Sequence, residues 1–174
     1  MATLRKGKCY RKVTNSYTRK SKVRSKAYIR APPATKVVRY AMGELNKKFS
    51  HSIKLVSKQT LQIRHNALES ARLVVNRSLY TDLGNKNYSF SLVKYPHHIL
   101  RENKMLSGAH ADRLQSGMSH AFGKTVGLAA QIKTGSAIFE AKVNKENIAS
   151  AKVAMQKAIS RLPGKIQITI EELK

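Results

Sequence analysis

The chain is short of cysteine, of tryptophan and above all of acid, and each shortage excludes something. Among 174 residues there is one cysteine, Cys9. That allows neither an intramolecular disulfide nor a four-cysteine zinc site, and it fits a reducing compartment. No stretch approaches the roughly 18 consecutive apolar residues of a membrane-spanning helix. The basic start is followed by no apolar stretch, so no secretory signal is expected there. The same start has no clear amphipathic helix period, which argues against a mitochondrial presequence. Nine Asp+Glu stand against 34 Lys+Arg, a formal net charge of +25. Self-repulsion on this scale makes a compact state costly unless a polyanion neutralises it. An ordinary soluble enzyme is therefore not the default. Nucleic acid is the leading partner, and an anionic membrane surface comes second.

Hydrophobic residues make up 41% of the chain, enough for a folded core in one domain with an appendage. The charge is unevenly placed. The first acid is Glu44, and residues 1–43 hold 13 Lys and Arg, more than half of the net charge. Tyr10, Tyr17, Tyr28 and Tyr40 are interleaved with these cations, and no helical or alternating apolar period is sustained. Residues 1–35 therefore read as an extended basic arm that owes its order to a partner, against the plainer reading of a solubilising tail. Aromatic faces suit stacking on bases while Lys and Arg meet phosphates.

Residues 36–174 read as a single α+β domain with a mostly antiparallel sheet and two amphipathic helices. Strand candidates are Lys36–Tyr40, Ile53–Val56, Leu61–Ile63 (or a lead directly into a helix), Tyr88–Tyr95, Val126–Ile132, Ala137–Val143 and the alternating Ile166, Ile168 and Ile170. Lys133–Ser136 has the look of a hairpin turn. The first helix spans Asn66–Tyr80, with Asn66 as N-cap, Glu69 in the capping-box position, and an apolar stripe of Ala67, Ala71, Val74, Val75 and Leu79. Arg72 and Arg77 fall off that stripe. The second helix spans Lys145–Leu162, capped by Asn144 and stopped by Pro163-Gly164.

Residues 96–125 hold four of the six histidines and three glycines with only two acids, and a loop this long in a compact domain is usually functional. A short helix is conceivable around Ala111–Phe122. His97, His98, His110 and His120 fit no compact metal-ligand spacing, and their positive surroundings oppose a cation, so no metal is expected. Ser107 and Ser116 lack the G-x-S-x-G context of a nucleophile. Glu102 and Asp112 read as partners for adjacent cations rather than a catalytic pair. Gly123-Lys124-Thr125 ends like a phosphate loop, but Met118 stands where that loop needs glycine.

Four segments carry a resemblance: CYR at Cys9–Arg11, QIRHNALESAR at Gln62–Arg72, YPHHILRENKMLSGAHADRLQSGM at Tyr95–Met118 and AFGKTVG at Ala121–Gly127. From about Leu4 to Glu172 the chain resembles the large-subunit ribosomal protein family number sixteen, in its archaeal and eukaryotic ten-e form. It departs from the family pattern at His110, where the family has a small residue, and around Asn15–Ser21. The resemblance implies a hammerhead-type α+β domain bound to large-subunit ribosomal RNA between the central protuberance and the stalk base. It implies a loop, 101–113 here, reaching toward the peptidyl transferase centre and the acceptor arms of tRNA, with Arg101, Asn103, Lys104, Met105, His110 and Arg113 placed near the tRNA. It further implies late entry into the assembling subunit, neighbouring ribosomal proteins as partners, a cytoplasmic ribosome-bound location, and no catalysis, cofactor, membrane or small-molecule substrate.

The residues themselves point to the same mode of binding. Arginine grips phosphate bidentately and also stacks, so Arg5, Arg11, Arg19, Arg24 and Arg30 are the expected phosphate contacts. Lys6, Lys8, Lys20, Lys22 and Lys26 add charge, and Tyr10 and Tyr28 are stacking candidates. Arg64, His65 and Asn66 precede the first helix, whose N-terminus can receive a phosphate. Arg72, His97, His98 and Lys124 complete the expected RNA-binding set. Two rivals are an enzyme acting on RNA through the histidine-rich loop and an architectural DNA-binding protein. Neither has a supporting motif: no nucleotide or methyl-donor pocket, no helix-turn-helix and no zinc-finger spacing.

Overall fold

Alternation of apolar and polar residues decides which face of a strand is buried, and here it builds the larger of two sheets. The computed structural model describes residues 5–12, 29, 32–104 and 123–173. Its elements run β1 (Ala41–Gly43), β2 (His51–Ser57), β3 (Leu61–Arg64), α1 (His65–Leu83), β4 (Tyr88–Leu92), β5 (His98–Glu102), β6 (Lys124–Ile132), β7 (Ala137–Val143), α2 (Ile148–Ile159) and β8 (Ile166–Glu172). Five strands form one sheet in the order β1-β4-β7-β2-β8, and β3-β6-β5 form a second. Every pairing is antiparallel.

On the larger sheet, Ile53, Leu55, Tyr88, Phe90, Leu92, Phe139, Ala141 and Val143 point into one core. Phe90 and Phe139 stack there with ring centres 5.4 Å apart. The opposite face is polar: the Ser52 hydroxyl donates to Glu140 and Lys54 pairs with Glu171. The helices pack on each other and cover the apolar face, with Leu68, Ala71, Val75 and Leu79 from α1 and Ala151, Ala154, Met155 and Ala158 from α2. Burying each of the large side chains contributes about 1.5–3 kcal/mol.

Several boundaries differ from the sequence reading. Lys36–Tyr40 is not a strand; β1 begins at Ala41, where the chain pairs with Ser89–Ser91 of β4. The Leu61 segment is both things the pattern allowed, a strand that runs straight into α1. Asn66 lies inside α1 and its side chain accepts from the Ala67 amide, while Arg64 is the N-cap. Asn144 precedes a 3-10 turn, Lys145–Asn147, and its side chain makes no capping bond. The Lys133–Ser136 turn forms, with the Ser136 amide donating to the Lys133 carbonyl, but its two strands do not pair with each other. β6 joins the small sheet and β7 the large one, so this turn bridges sheets. The Ser57 amide and carbonyl hold it, through Ser136 and Gly135. The helix expected around Ala111–Phe122 lies outside the described residues.

Candidate nucleic-acid interface

β3 is an edge strand of the small sheet, and an open edge leaves backbone groups unpaired. The basic segment Arg5–Lys12 closes this one. The Gln62 amide donates to the Arg11 carbonyl at 2.9 Å, and Gln62 Nε2 donates to the Tyr10 carbonyl at 3.0 Å. Arg64 Nη1 donates to the Arg5 carbonyl at 3.0 Å. Residues Gly7–Tyr10 make one 3-10 turn, which swings the Tyr10 ring inward. The ring packs with Leu100 and Ala129, is only 5% exposed, and its hydroxyl donates to the Arg101 carbonyl. Burial pushes the Tyr10 phenol above its usual pKa. The Arg5 guanidinium lies 5.6 Å from the ring centre. Tyr10 is therefore an anchor, and its buried ring offers no face to a base.

Everything charged on this segment points out. Arg5, Lys6, Lys8, Arg11 and Lys12 are exposed. Arg64 stands at the junction of β3 and α1 with a cleft of about 260 Å³ on each side. One cleft is lined by Gly7, Arg11, Gln62, Arg64, Ser160 and Arg161, three arginines without an acid. The other is lined by Arg5, Lys36, Arg64, His65, Glu102 and Val126, among others. Gly7 lies close under the Arg64 guanidinium: a Cβ there would sit 3.2 Å from Arg64 Nη2. His65 Nδ1 accepts from the Lys36 amide at 3.2 Å. Burial, and then the charges of Lys36 and Arg64, hold the His65 imidazole below its ordinary pKa, so it is neutral at pH 7.

The remaining expected site residues divide sharply. Arg72 is 5% exposed. Its Nε and Nη2 donate to the two Glu69 oxygens at 2.8 and 2.6 Å, and Nη1 lies 2.8 Å from Met42 Sδ. The pair keeps Glu69 below the usual carboxylate range. Arg72 is thus core structure with no face for a phosphate, and Glu69 serves it rather than a capping box. His98 is 2% exposed with Nδ1 3.1 Å from Gln131 Nε2, whereas His97 is exposed with Nδ1 3.2 Å from the Tyr95 carbonyl. Arg101 is buried in β5, and its Nη1 donates to the Gly123 carbonyl at 2.8 Å. It pins the base of the 105–122 segment. There Glu102 faces Lys124 in register, and Gly123, at φ +108°, leaves no room for a Cβ, which would meet the Glu102 carbonyl at 2.9 Å. Asn103, Lys104 and Lys124 line a further cleft of about 400 Å³ at this base, with Lys104 and Lys124 exposed. Arg19, Lys20, Lys22, Arg24, Lys26, Tyr28, Arg30, Met105, His110 and Arg113 lie outside the described residues.

Lys36 and Arg161 were missed by sequence reasoning. Arg161 follows the C-cap of α2, and only the folded chain brings it beside Arg11 and Arg64. No helix of the described residues is long and apolar enough to cross a membrane.

The family model for ribosomal protein L16p/L10e matches residues 13–169. The chain is 44% identical over 172 residues to the large ribosomal subunit protein uL16 of Methanococcus maripaludis, covering 98% of this chain and 96% of that one. It is 41% identical over 172 residues to the protein of the same name from Staphylothermus marinus, covering 98% and 95%. To that of Methanococcus aeolicus it is 45% identical over 168 residues, covering 96% and 94%. These are ribosomal structural proteins and not enzymes, and with nearly the whole chain aligned at this identity the protein belongs to the ribosomal protein L16p/L10e family.

Proposed function

We propose that this protein is a structural constituent of the large ribosomal subunit, bound to ribosomal RNA in the cytoplasm and serving translation. The observation that carries the reading is the docked segment Arg5–Lys12. Tyr10 fixes its backbone on the small sheet, and its five cations face solvent beside clefts that gather Arg64, Lys36 and Arg161. Folded RNA is recognised through phosphates, sugars and unstacked bases, and a preorganised row of guanidinium and ammonium groups fits that chemistry. The cations at 19–30 extend the same charge along the chain.

The finer reading gives the two ends of the molecule different tasks. The N-terminal segment and the Arg64 face hold ribosomal RNA between the central protuberance and the stalk base. The loop at 101–113 reaches toward the peptidyl transferase centre and tRNA. Arg101 supports this as the buried pin at the loop's base rather than as a contact at its tip. Entry late in subunit assembly belongs to the same reading.

Co-sedimentation with large subunits across a salt series tests the main claim. The protein is expected to travel with the subunit at physiological salt and to leave it at high salt. With about ten phosphates neutralised, affinity falls by several decades over a fourfold rise in salt. Free protein sedimenting away from subunits at physiological salt would refute the reading. Deleting residues 1–31 is expected to weaken incorporation, and deleting 104–111 to spare incorporation while impairing translation. Normal translation by subunits carrying the second deletion would remove the loop from the functional site.

A further inference from the structure

The structure withdraws Tyr10 as a stacking surface and offers another. The chain has no tryptophan, and Phe49, Phe90, Phe139, Tyr10 and Tyr88 are buried. Among the described residues the aromatic rings most open to solvent are Tyr80, 60% exposed, and Tyr95, 57% exposed. Tyr80 sits near the end of α1 with exposed Asp82 two residues on, a setting that repels phosphate. Tyr95 has the opposite setting. Its ring lies 5.5 Å from that of Tyr40, tilted by 31°. One side of Tyr95 is thereby backed by a second aromatic ring.

Both tyrosines are held from the backbone. The Leu92 amide donates to the Tyr40 carbonyl at 2.8 Å, which ties the two chain segments together. Pro96 follows Tyr95 and is buried, fixing the chain direction, and His97 Nδ1 lies against the Tyr95 carbonyl. Arg39 and His97 are exposed on the residues beside the pair, and Lys94 is half-buried next to Tyr95. The acid whose charge reaches Tyr40 is Glu69, and Arg72 neutralises it with two hydrogen bonds. The result is a half-exposed aromatic ring, backed on one side, in positive surroundings. Such a surface loses little side-chain entropy on binding, and every base has a π-face to lay on it.

We propose that Tyr95, backed by Tyr40, is a stacking platform for an unstacked base of single-stranded RNA. This rests on the RNA-binding reading above and adds, among the described residues, a base contact beside the phosphate-binding cations. The test uses the full-length protein with a short single-stranded oligouridine and an abasic ribose-phosphate chain of equal length. Tyr95→Ala is expected to weaken oligouridine binding by about 5- to 150-fold, the equivalent of about 1–3 kcal/mol per stacked base. The slope of log affinity against log salt stays unchanged, because no cation is lost. Tyr95→Phe keeps wild-type affinity. In the Tyr95→Trp variant, a single-tryptophan protein, fluorescence is quenched by oligouridine and not by the abasic chain. If oligouridine binds the wild type and Tyr95→Ala equally well, the platform is overturned while RNA binding stands. Equal oligouridine binding with poorer incorporation of Tyr95→Ala into subunits overturns it in favour of a protein-binding surface. Absence of salt-dependent oligouridine binding by the wild type overturns the platform, while the ribosomal reading stands or falls by co-sedimentation.

Discussion

Replacing Tyr10 by Ala should detach the basic segment without changing a single charge. Tyr10 belongs to a small cluster with Leu100 and Ala129, separate from the main core. Truncating a buried aromatic ring costs about 3–5 kcal/mol, and the lost bond to the Arg101 carbonyl adds about 1 kcal/mol. Among the described residues, three hydrogen bonds then remain to hold Arg5–Lys12: Gln62 amide to Arg11 carbonyl, Gln62 side chain to Tyr10 carbonyl, and Arg64 to Arg5 carbonyl. At about 0.5–1.5 kcal/mol each they fall short of the cost of ordering the segment, about 1–2 kcal/mol per residue.

Amide hydrogen exchange reads this residue by residue. In an antiparallel ladder alternate amides face opposite sides. Gln62 donates outward to Arg11, so its neighbours Leu61 and Ile63 face β6. In Tyr10→Ala the Gln62 amide should exchange rapidly while Ile63 and the strands of the large sheet stay protected. Tyr10→Phe, which keeps the ring, should leave Gln62 protected. RNA affinity of Tyr10→Ala should fall at least about tenfold at constant salt, because docking energy supplied by the ring must now come from the RNA. Wild-type protection at Gln62 in Tyr10→Ala, or unchanged RNA affinity despite its loss, would refute the anchor.

Arg72→Ala should destabilise the fold by about 3 kcal/mol, the low end for a buried pair because Glu69 keeps some solvent access, and leave RNA affinity of the folded protein unchanged; urea titration and RNA binding check the two halves. His65 stays neutral in the fold and protonates more readily when unfolded, so stability is intact above about pH 6.5 and declines as pH falls from there through the depressed folded pKa. Melting temperatures of wild type and His65→Asn from pH 7.5 to 5 check this, roughly the span over which histidine titrates; equal pH dependence would count against it. Gly123→Ala should cost about 1–3 kcal/mol from its positive φ and should loosen the β5–β6 pairing at Glu102, measured by urea titration and amide exchange.

The large sheet was legible because its strands are buried on one face. Tyr88, Phe90 and Leu92 alternate with serines, and in β7 the buried Phe139, Ala141 and Val143 alternate with Glu140 and Lys142; β8, an edge strand, alternates in sequence while staying partly exposed. The small sheet was not. In β5 the first four residues, His98 to Arg101, are all buried, so two polar side chains sit where a pattern of period two has no place for them. The segment therefore looked like the start of a loop. Lys36–Tyr40 failed for the opposite reason. Val37 is buried and Val38 exposed, as in a strand, but the Lys36 amide is spent on His65, and the ladder with β4 reaches back only as far as Tyr40, whose carbonyl accepts from the Leu92 amide.

A charged or tyrosine side chain in a basic sequence looks like a ligand contact, because charge is visible in sequence and burial is not. Arg72, Arg101 and Tyr10 each escape solvent by finding a specific partner distant in sequence or one helical turn away: Glu69, the Gly123 carbonyl, the Arg101 carbonyl. None of these pairings has a signature that separates it from a solvated face. The cations that the sequence concentrates at Arg5, Lys6, Lys8 and Arg11 are all turned outward. Sequence could not show that their outward aim depends on one buried ring, nor that Arg161, 150 residues beyond Arg11 in the chain, completes their cleft. In this protein, then, the residues that position the outward-facing cations are themselves cationic or aromatic, and only packing separates the buried holders from the exposed charges.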